Sequence, residues 1–187
     1  DDVGGTIEGD KSCCSLDGIN DARLIAAKFG FPHYVMDFSE VFGRTVIDNF
    51  IDEYMHGRTP NPCVICNRKI KWEELLRKGK QLGADYVAMG HYAKLRRDDS
   101  TNRYVISRGK DLKKDQSYML WNVTQESLDH TLFPLADYTK EEVRALAVKY
   151  GLRTAAKGES FEICFNTDNN YERFLKHKLH QLEKEVS

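Results

Sequence analysis

Between Asp17 and Met89 amphipathic helical stretches alternate with apolar runs too short to be helices, and this alternation constrains the fold most. Ile19, Ala22, Ile25, Ala26 and Phe29 share one helical face that Gly30 closes, and His33 to Phe38 reads as a short strand. Phe42, Val46, Phe50 and Tyr54 form the stripe of a long helix between Ser39 and Gly57. Pro60 and Pro62 disfavour helix in the residues before them, which predicts a loop over Arg58 to Cys66. Asn67 to Leu82 reads as a helix with Ile70, Leu75 and Leu82 inward, and Asp85 to Met89 as a buried strand ending at Gly90-His91-Tyr92. Helices alternating with strands imply a parallel α/β sheet.

Ala93 to Arg97 and Arg103 to Ser107 flank a turn-rich segment and predict an antiparallel hairpin attached to that sheet. Thr139 with Glu142 is a capping box for a helix that ends at Gly151. A polar helix from about Tyr171 closes the chain, and its Lys176 to Lys184 stretch reads as exposed surface without special function.

The 187 residues, 41% hydrophobic and 30% charged, suit one soluble globular domain over residues 1–187, with no internal repeat and no linker rich in Pro, Gly or Ser. Collagen-like, mucin-like and disordered classes are excluded. No run approaches the ~18 to 20 apolar residues of a membrane span, and Asp1-Asp2-Val3-Gly4-Gly5 lacks a secretory layout, so a cytosolic address is expected. The net charge of −1 gives no global attraction to nucleic acid, and any such face must be local. Five cysteines, an odd number, suit reduced, reactive or metal-binding thiols better than a disulfide framework. A doubly wound domain normally opens on a buried strand and a Gly-rich turn. This chain opens on a polar stretch without Met, so an N-terminal βα unit is expected to be missing.

The most specific local signal is Gly57 to Lys71, which holds Cys63 and Cys66 three residues apart at a helix start. Backbone N–H groups together with Arg68, Lys69 and Lys71 would favour thiolate there. The pair alone fits structural zinc, a redox dithiol or iron–sulfur ligation, although closed zinc sites usually add a second such pair. Cys164, between Ile163 and Phe165, reads on its own as a small buried hydrophobe, and the adjacent Cys13 and Cys14 as structural. Gly90-His91-Tyr92 follows a strand, where parallel sheets bind ligands, and is equally a plain turn with a surface His. Lys110 to Tyr118 mixes basic, amide and aromatic groups that suit phosphates and unstacked bases, or simply a solvated surface.

Taken together, Gly57 to Lys71, Met89 to Tyr92, Lys114 to Tyr118 and Ser160 to Phe165 resemble the tRNA-specific 2-thiouridylase family in order and spacing. Cys13-Cys14-Ser15 followed by Asp21-Ala22-Arg23 is similar as well, so the resemblance covers nearly the whole chain. It implies a Rossmann-like parallel sheet flanked by helices, of the adenine nucleotide alpha hydrolase type, incomplete at the N-terminus and carrying an inserted β-hairpin. It also implies chemistry: ATP, with Mg2+, adenylates the C2 oxygen of a wobble uridine in tRNA, and sulfur then replaces that oxygen. By motif match Cys164 carries or receives the activated sulfur, and Cys66 closes a disulfide with it or completes a cluster, each role helped by a lowered thiol pKa. Asn61, Pro62 and Cys63 match the loop facing the target base, and Gly90 matches a backbone contact to the nucleotide. His91, Lys114, Asp115 and Gln116 match tRNA-contacting positions. The implied partners are a tRNA with a wobble uridine and a sulfur-donor protein such as a cysteine desulfurase or sulfur carrier.

The chain departs from the family in two ways. Many members carry an aspartate, proposed to transfer protons, where this chain has Cys63. Three thiolates, Cys63, Cys66 and Cys164, could then hold a 4Fe–4S cluster with one iron open for sulfide. The family's Ser-Gly-Gly-x-Asp-Ser turn and its β-rich C-terminal tRNA-binding region are absent from the 187 residues, which reads as the catalytic part of a longer enzyme. Two other classes compete: a non-catalytic cysteine-ligated metal- or RNA-binding module, and a dithiol oxidoreductase using Cys63 and Cys66.

Overall fold

Leu16–Phe29 forms helix α1 in the computed structural model, which describes residues 16–158, 163–166 and 170–185, with side chains to His180. Cys13, Cys14, Ser160, Phe161 and Glu162 lie outside the described residues. The chain divides into two compact units, one made of the segments up to Met36 and from Leu152 onward, the other of Asp37–Gly151. No helix among the described residues is long and apolar enough to cross a membrane.

In the first unit α1 ends at Gly30, whose φ of +74° is the left-handed conformation glycine adopts without strain. Asp21 on α1 is buried and ion-paired at 3.0 Å with Arg153 and 3.1 Å with Lys157, which ties the short 3-10 turn Arg153–Ala156 to the helix. The rings of Phe165 and Phe174 pack at 5.3 Å. His33 to Phe38 is not a strand: Tyr34 and Val35 are 60% and 65% exposed and the segment has no ladder. An extended run becomes a strand only where a neighbour's N–H and C=O groups face it.

In the second unit α2 (Ser39–Phe42), a π-helical stretch (Gly43–Ile47) and α3 (Asp48–Met55) run on without a break, burying Val46, Phe50 and Ile51. A second rod joins α4 (Pro62–Cys66), a π-helical stretch (Asn67–Glu74) and α5 (Leu75–Gln81). It starts five residues earlier than the prolines suggested. Proline restrains the residue before it, and Asn61 is indeed non-helical at φ −116°, ψ 88°, but Pro62 itself suits the first helical position. Nor is Leu82 inward: it is 53% exposed, and Trp72, fully buried, and Leu76 take the inner face with Ile70. The wider π turns rotate the later residues away from a 3.6-residue stripe.

Strand β1 (Val87–Ala88) pairs with a later strand, in parallel. The hairpin strands β2 (Ala93–Asp98) and β3 (Arg103–Arg108) follow it, paired from Ala93↔Arg108 to Asp98↔Arg103. α6 (Gln125–Asp129) leads into β4 (Thr131–Leu132), the partner of β1, in the register Val87↔Thr131 and Ala88↔Leu132. α7 (Lys140–Lys149) starts at the expected capping box, in which Thr139 Oγ1 accepts from Glu142 N and Glu142 Oε2 accepts from Thr139 N. α8 (Tyr171–Glu185) is the closing helix.

The core of this unit gathers Trp72, Leu76, Val87, Met89, Leu120, Leu128 and Phe133, with the inner faces of Leu95 and Ile106 from the hairpin packed against it. Trp72 Nε1 donates to Thr131 Oγ1 at 2.7 Å, and that hydroxyl donates to the Ser127 carbonyl at 2.6 Å. Thr131→Val keeps the shape but leaves the indole N–H buried without an acceptor. It is expected to cost about 1–3 kcal/mol in urea unfolding, and Thr131→Ser clearly less.

Candidate active site

Asn61 holds both its own helix and a distant loop. Its Oδ1 accepts from Val64 N at 3.4 Å, capping α4, and its Nδ2 lies 3.6 Å from Met119 Sδ. At the other end of α4, Asn67 donates from Nδ2 to the Met119 carbonyl at 3.1 Å. The turn Ser117–Met119 is therefore gripped from both ends of the helical turn that carries Cys63 and Cys66. Cys63 is exposed and Cys66 half-buried, both as thiols. Pro62 is buried, so in this loop Asn61 and Cys63 are the exposed side chains and the proline ring packs inward.

The same turn reaches the end of β1. Met119 N donates to the Gln116 carbonyl at 3.0 Å, and Gln116 meets Tyr92 twice: Gln116 N donates to Tyr92 O, and Tyr92 N donates to Gln116 Oε1, both at 3.1 Å. Hydrogen bonds among Asn61, Asn67, Met119, Gln116 and Tyr92 thus link the helical turn that carries Cys63 and Cys66 to the segment after β1 that carries Gly90 and His91, at the carboxyl end of a strand, where parallel sheets place ligands. Cys164 belongs to the other unit, where it is a half-buried thiol in a turn.

Several side chains are already engaged. Asp115 turns its carboxylate onto its own loop, accepting from Ser117 N at 3.2 Å and Ser117 Oγ at 3.0 Å. Asp111 accepts the amides of Lys113, Lys114 and Lys140. The Lys140 amide does most to lower its pKa, burial opposes it, and the other two amides add to it. Lys114 itself is half-buried. Arg68 and Lys69, expected to favour thiolate, instead both pair with Glu73 at 2.9 Å, and Arg68 also bonds Asn122 at 3.0 Å. Burial resists ionisation of Glu73, but the hydrogen bonds from Lys69 and Arg68 outweigh it and lower its pKa.

Gly90 is exposed, and a Cβ there would meet only Leu135 at 4.0 Å, so packing does not require glycine at this position. His91 lies between Trp72 at 5.5 Å and Phe133 at 6.2 Å with its buried Nδ1 unpartnered. Burial first, and the Lys71 charge second, push its pKa down to about 4, so its ring is neutral near pH 7. Among the described residues no group of three or more His, Cys, Asp or Glu side chains could hold a metal ion. The 4Fe–4S cluster expected on Cys63, Cys66 and Cys164 finds no support in these groupings.

Asn67 and Met119 escaped the sequence reading. The only hint was an amide directly after the second thiol, because a Met gives no sign that its backbone will be used. The buried Asn67 also keeps its Oδ1 without a partner.

A family model described as tRNA methyl transferase HUP domain matches residues 3–168. The chain is 54% identical over 186 residues to tRNA-specific 2-thiouridylase MnmA 1 of Caldanaerobacter subterraneus subsp. tengcongensis, covering 100% of this chain and 50% of that protein. It is 53% identical over 176 residues to tRNA-specific 2-thiouridylase MnmA of Salinibacter ruber, covering 94% and 46%. With the protein of the same name from Symbiobacterium thermophilum it shares 56% over 167 residues, covering 89% and 43%. The chain spans about half the length of these relatives.

The His91 ring gives a pH signature. An unfolded histidine titrates near about 6.5, so between there and about 4 the unfolded chain binds the extra proton. The stability that depends on neutral His91 is complete above that range and is lost as pH falls through it. Between about pH 7.5 and 5 the wild type is expected to lose roughly 2 kcal/mol more than His91→Phe, measured by urea unfolding at each pH.

Proposed function

The chain belongs to the tRNA methyl transferase HUP domain family, and from that premise we propose that it is the catalytic part of a tRNA-specific 2-thiouridylase. The observation that carries this reading is the framework joining the Cys63 and Cys66 turn, the Ser117–Met119 loop and the Gly90-His91-Tyr92 strand end. Sulfur transfer to a nucleobase needs a nucleophilic sulfur, an activated carbonyl and contacts that hold the RNA. This framework offers a thiol pair beside a strand end open to a ligand.

The carbonyl oxygen of uridine is a poor leaving group, so ATP, with Mg2+ as its counter-ion, first transfers an adenylyl group to the C2 oxygen of the wobble base. AMP can then depart when sulfur attacks. Gly90 offers its backbone to the nucleotide, with no side chain in the way. Asn61 and Cys63 face the base. Cys164 carries the sulfur as a persulfide whose terminal atom attacks C2. Cys66 then attacks the Cys164 sulfur, freeing the thiolated base and leaving a Cys66–Cys164 disulfide. A dithiol reductant opens that disulfide by supplying two electrons, and a sulfur-donor protein, such as a cysteine desulfurase or a sulfur carrier, then passes persulfide sulfur to the freed Cys164 thiolate.

His91 contacts the tRNA as a neutral ring, suited to a base edge or ribose more than to a phosphate. Lys114 is the charged contact of its loop. Asp115 and Gln116 shape that loop through their bonds to Ser117 and Tyr92, so their effect on tRNA comes largely through its backbone.

In the full-length protein, Cys66→Ser and Cys164→Ser are each expected to lower 2-thiouridine formation at least a hundredfold, read by mass spectrometry of digested tRNA. ATP consumption dependent on tRNA should survive. Gly90→Ala should leave the unfolding midpoint within the small range typical of surface changes, about 0.5 kcal/mol, and weaken ATP use. A Cys164→Ser protein that still thiolates tRNA would favour a thiol pair sufficient in itself.

A further inference from the structure

Cys63 and Cys66 share the first helical turn after the Asn61 cap, in a helical rod that runs unbroken over 62–81. Side chains three apart on a helix have Cβ atoms about 5–6 Å apart, one turn on the same face. Disulfides hold Cβ atoms about 3.5–4.5 Å apart, so a bridge within this turn requires the two Cβ atoms to draw together by about 1–2 Å. The two thiols also differ in access: Cys63 is exposed and Cys66 half-buried. The turn is held from both ends by the amides of Asn61 and Asn67 on Met119, so its backbone stays in place while the sulfurs exchange partners.

We propose that Cys63 is the resolving thiol that returns the sulfur-carrying cysteine to use after each transfer. This rests on the sulfurtransferase reading above, in which a turnover ends with a Cys66–Cys164 disulfide. The Cys63 thiolate attacks Cys66 Sγ; a Cys63–Cys66 bond forms, the Cys66–Cys164 bond breaks, and its electron pair leaves on Cys164 as thiolate. This exchange involves no net oxidation. A dithiol reductant then attacks the exposed Cys63 Sγ and supplies two electrons. It ends as a disulfide, and its two protons end on Cys63 and Cys66. The inner sulfur thus handles the internal exchange and the outer one meets the external reductant.

The test uses the full-length protein with ATP and a wobble-uridine tRNA. Turnover without reductant is quenched in acid, alkylated with iodoacetamide and peptide-mapped. The wild type should contain a Cys63–Cys66 bridge, and Cys63→Ser a Cys66–Cys164 bridge. With a dithiol present, turnover of Cys63→Ser after the first equivalent of 2-thiouridine should slow at least tenfold. A wild type that forms 2-thiouridine yet keeps the Cys66–Cys164 bridge overturns the proposal. If the wild type forms no 2-thiouridine, it is the sulfurtransferase reading that fails. A titration in glutathione buffers then tests the pair by itself: one intrachain bridge with a single midpoint is expected, and separate glutathione adducts on Cys63 and Cys66 overturn it.

Discussion

The buried indole of Trp72 is the constraint on which the second unit depends. It sits on the rod that carries the thiols, yet its N–H is satisfied by Thr131 on β4, and its ring faces His91 beyond β1 and Phe133 beyond β4. One side chain therefore sets the rod against both parallel strands. An indole excluded from water contributes a large apolar area and needs its N–H bonded, so depth and orientation of the rod are fixed together. The position of Cys63 and Cys66 relative to the strand end follows from that anchor, with the Met119 and Gln116 bonds as the local adjustment.

Charge near the thiols is arranged differently from what the basic run Arg68-Lys69 suggests. Both cations pair with the single carboxylate of Glu73, which holds their side chains there and leaves a net charge of one positive on the three groups. At the start of the helical rod Pro62 has no N–H to satisfy and the Val64 amide is taken by Asn61 Oδ1, so the cap itself accounts for these positions. Lys71 instead faces His91 and, with burial, keeps that ring neutral. The strand end therefore presents an uncharged imidazole next to a glycine, in a chain whose net charge is −1.

What the sequence made legible was whatever rests on local chemistry. The Thr139 and Glu142 box, the hairpin around 98–102 and the glycine closing α1 each involve residues within a few positions of one another. What it hid depended on distant partners or on helix geometry. Strand β4 is two residues long and exists because β1 lies beside it; His33 to Phe38 has the pattern of a strand but no ladder. The π turns after Cys66 broke the stripe that placed Leu82 inside, and the start of α4 turned on the difference between the residue before a proline and the proline itself. In the site, motif order picked out the Cys63 turn, Gly90 and the Gln116 loop. That Gln116 spends its side chain on the Tyr92 backbone, and Asp115 its own on Ser117 and Arg108, could be read only from the fold.

Two glycines near the hairpin separate structural need from ligand need. At Gly109 an added Cβ would stand 3.0 Å from the Ala136 carbonyl and 3.4 Å from the Tyr92 backbone, so a side chain there would force the surrounding backbone to give way. At Gly90 it would meet only a leucine methyl at 4.0 Å, and no positive φ demands glycine. A folding argument accounts for Gly109 and is silent on Gly90. A bare backbone at an exposed strand end, with nothing inside the chain requiring it, is what close approach by a flat or phosphorylated ligand would require. The nucleotide contact proposed for Gly90 is compatible with the open space around that residue.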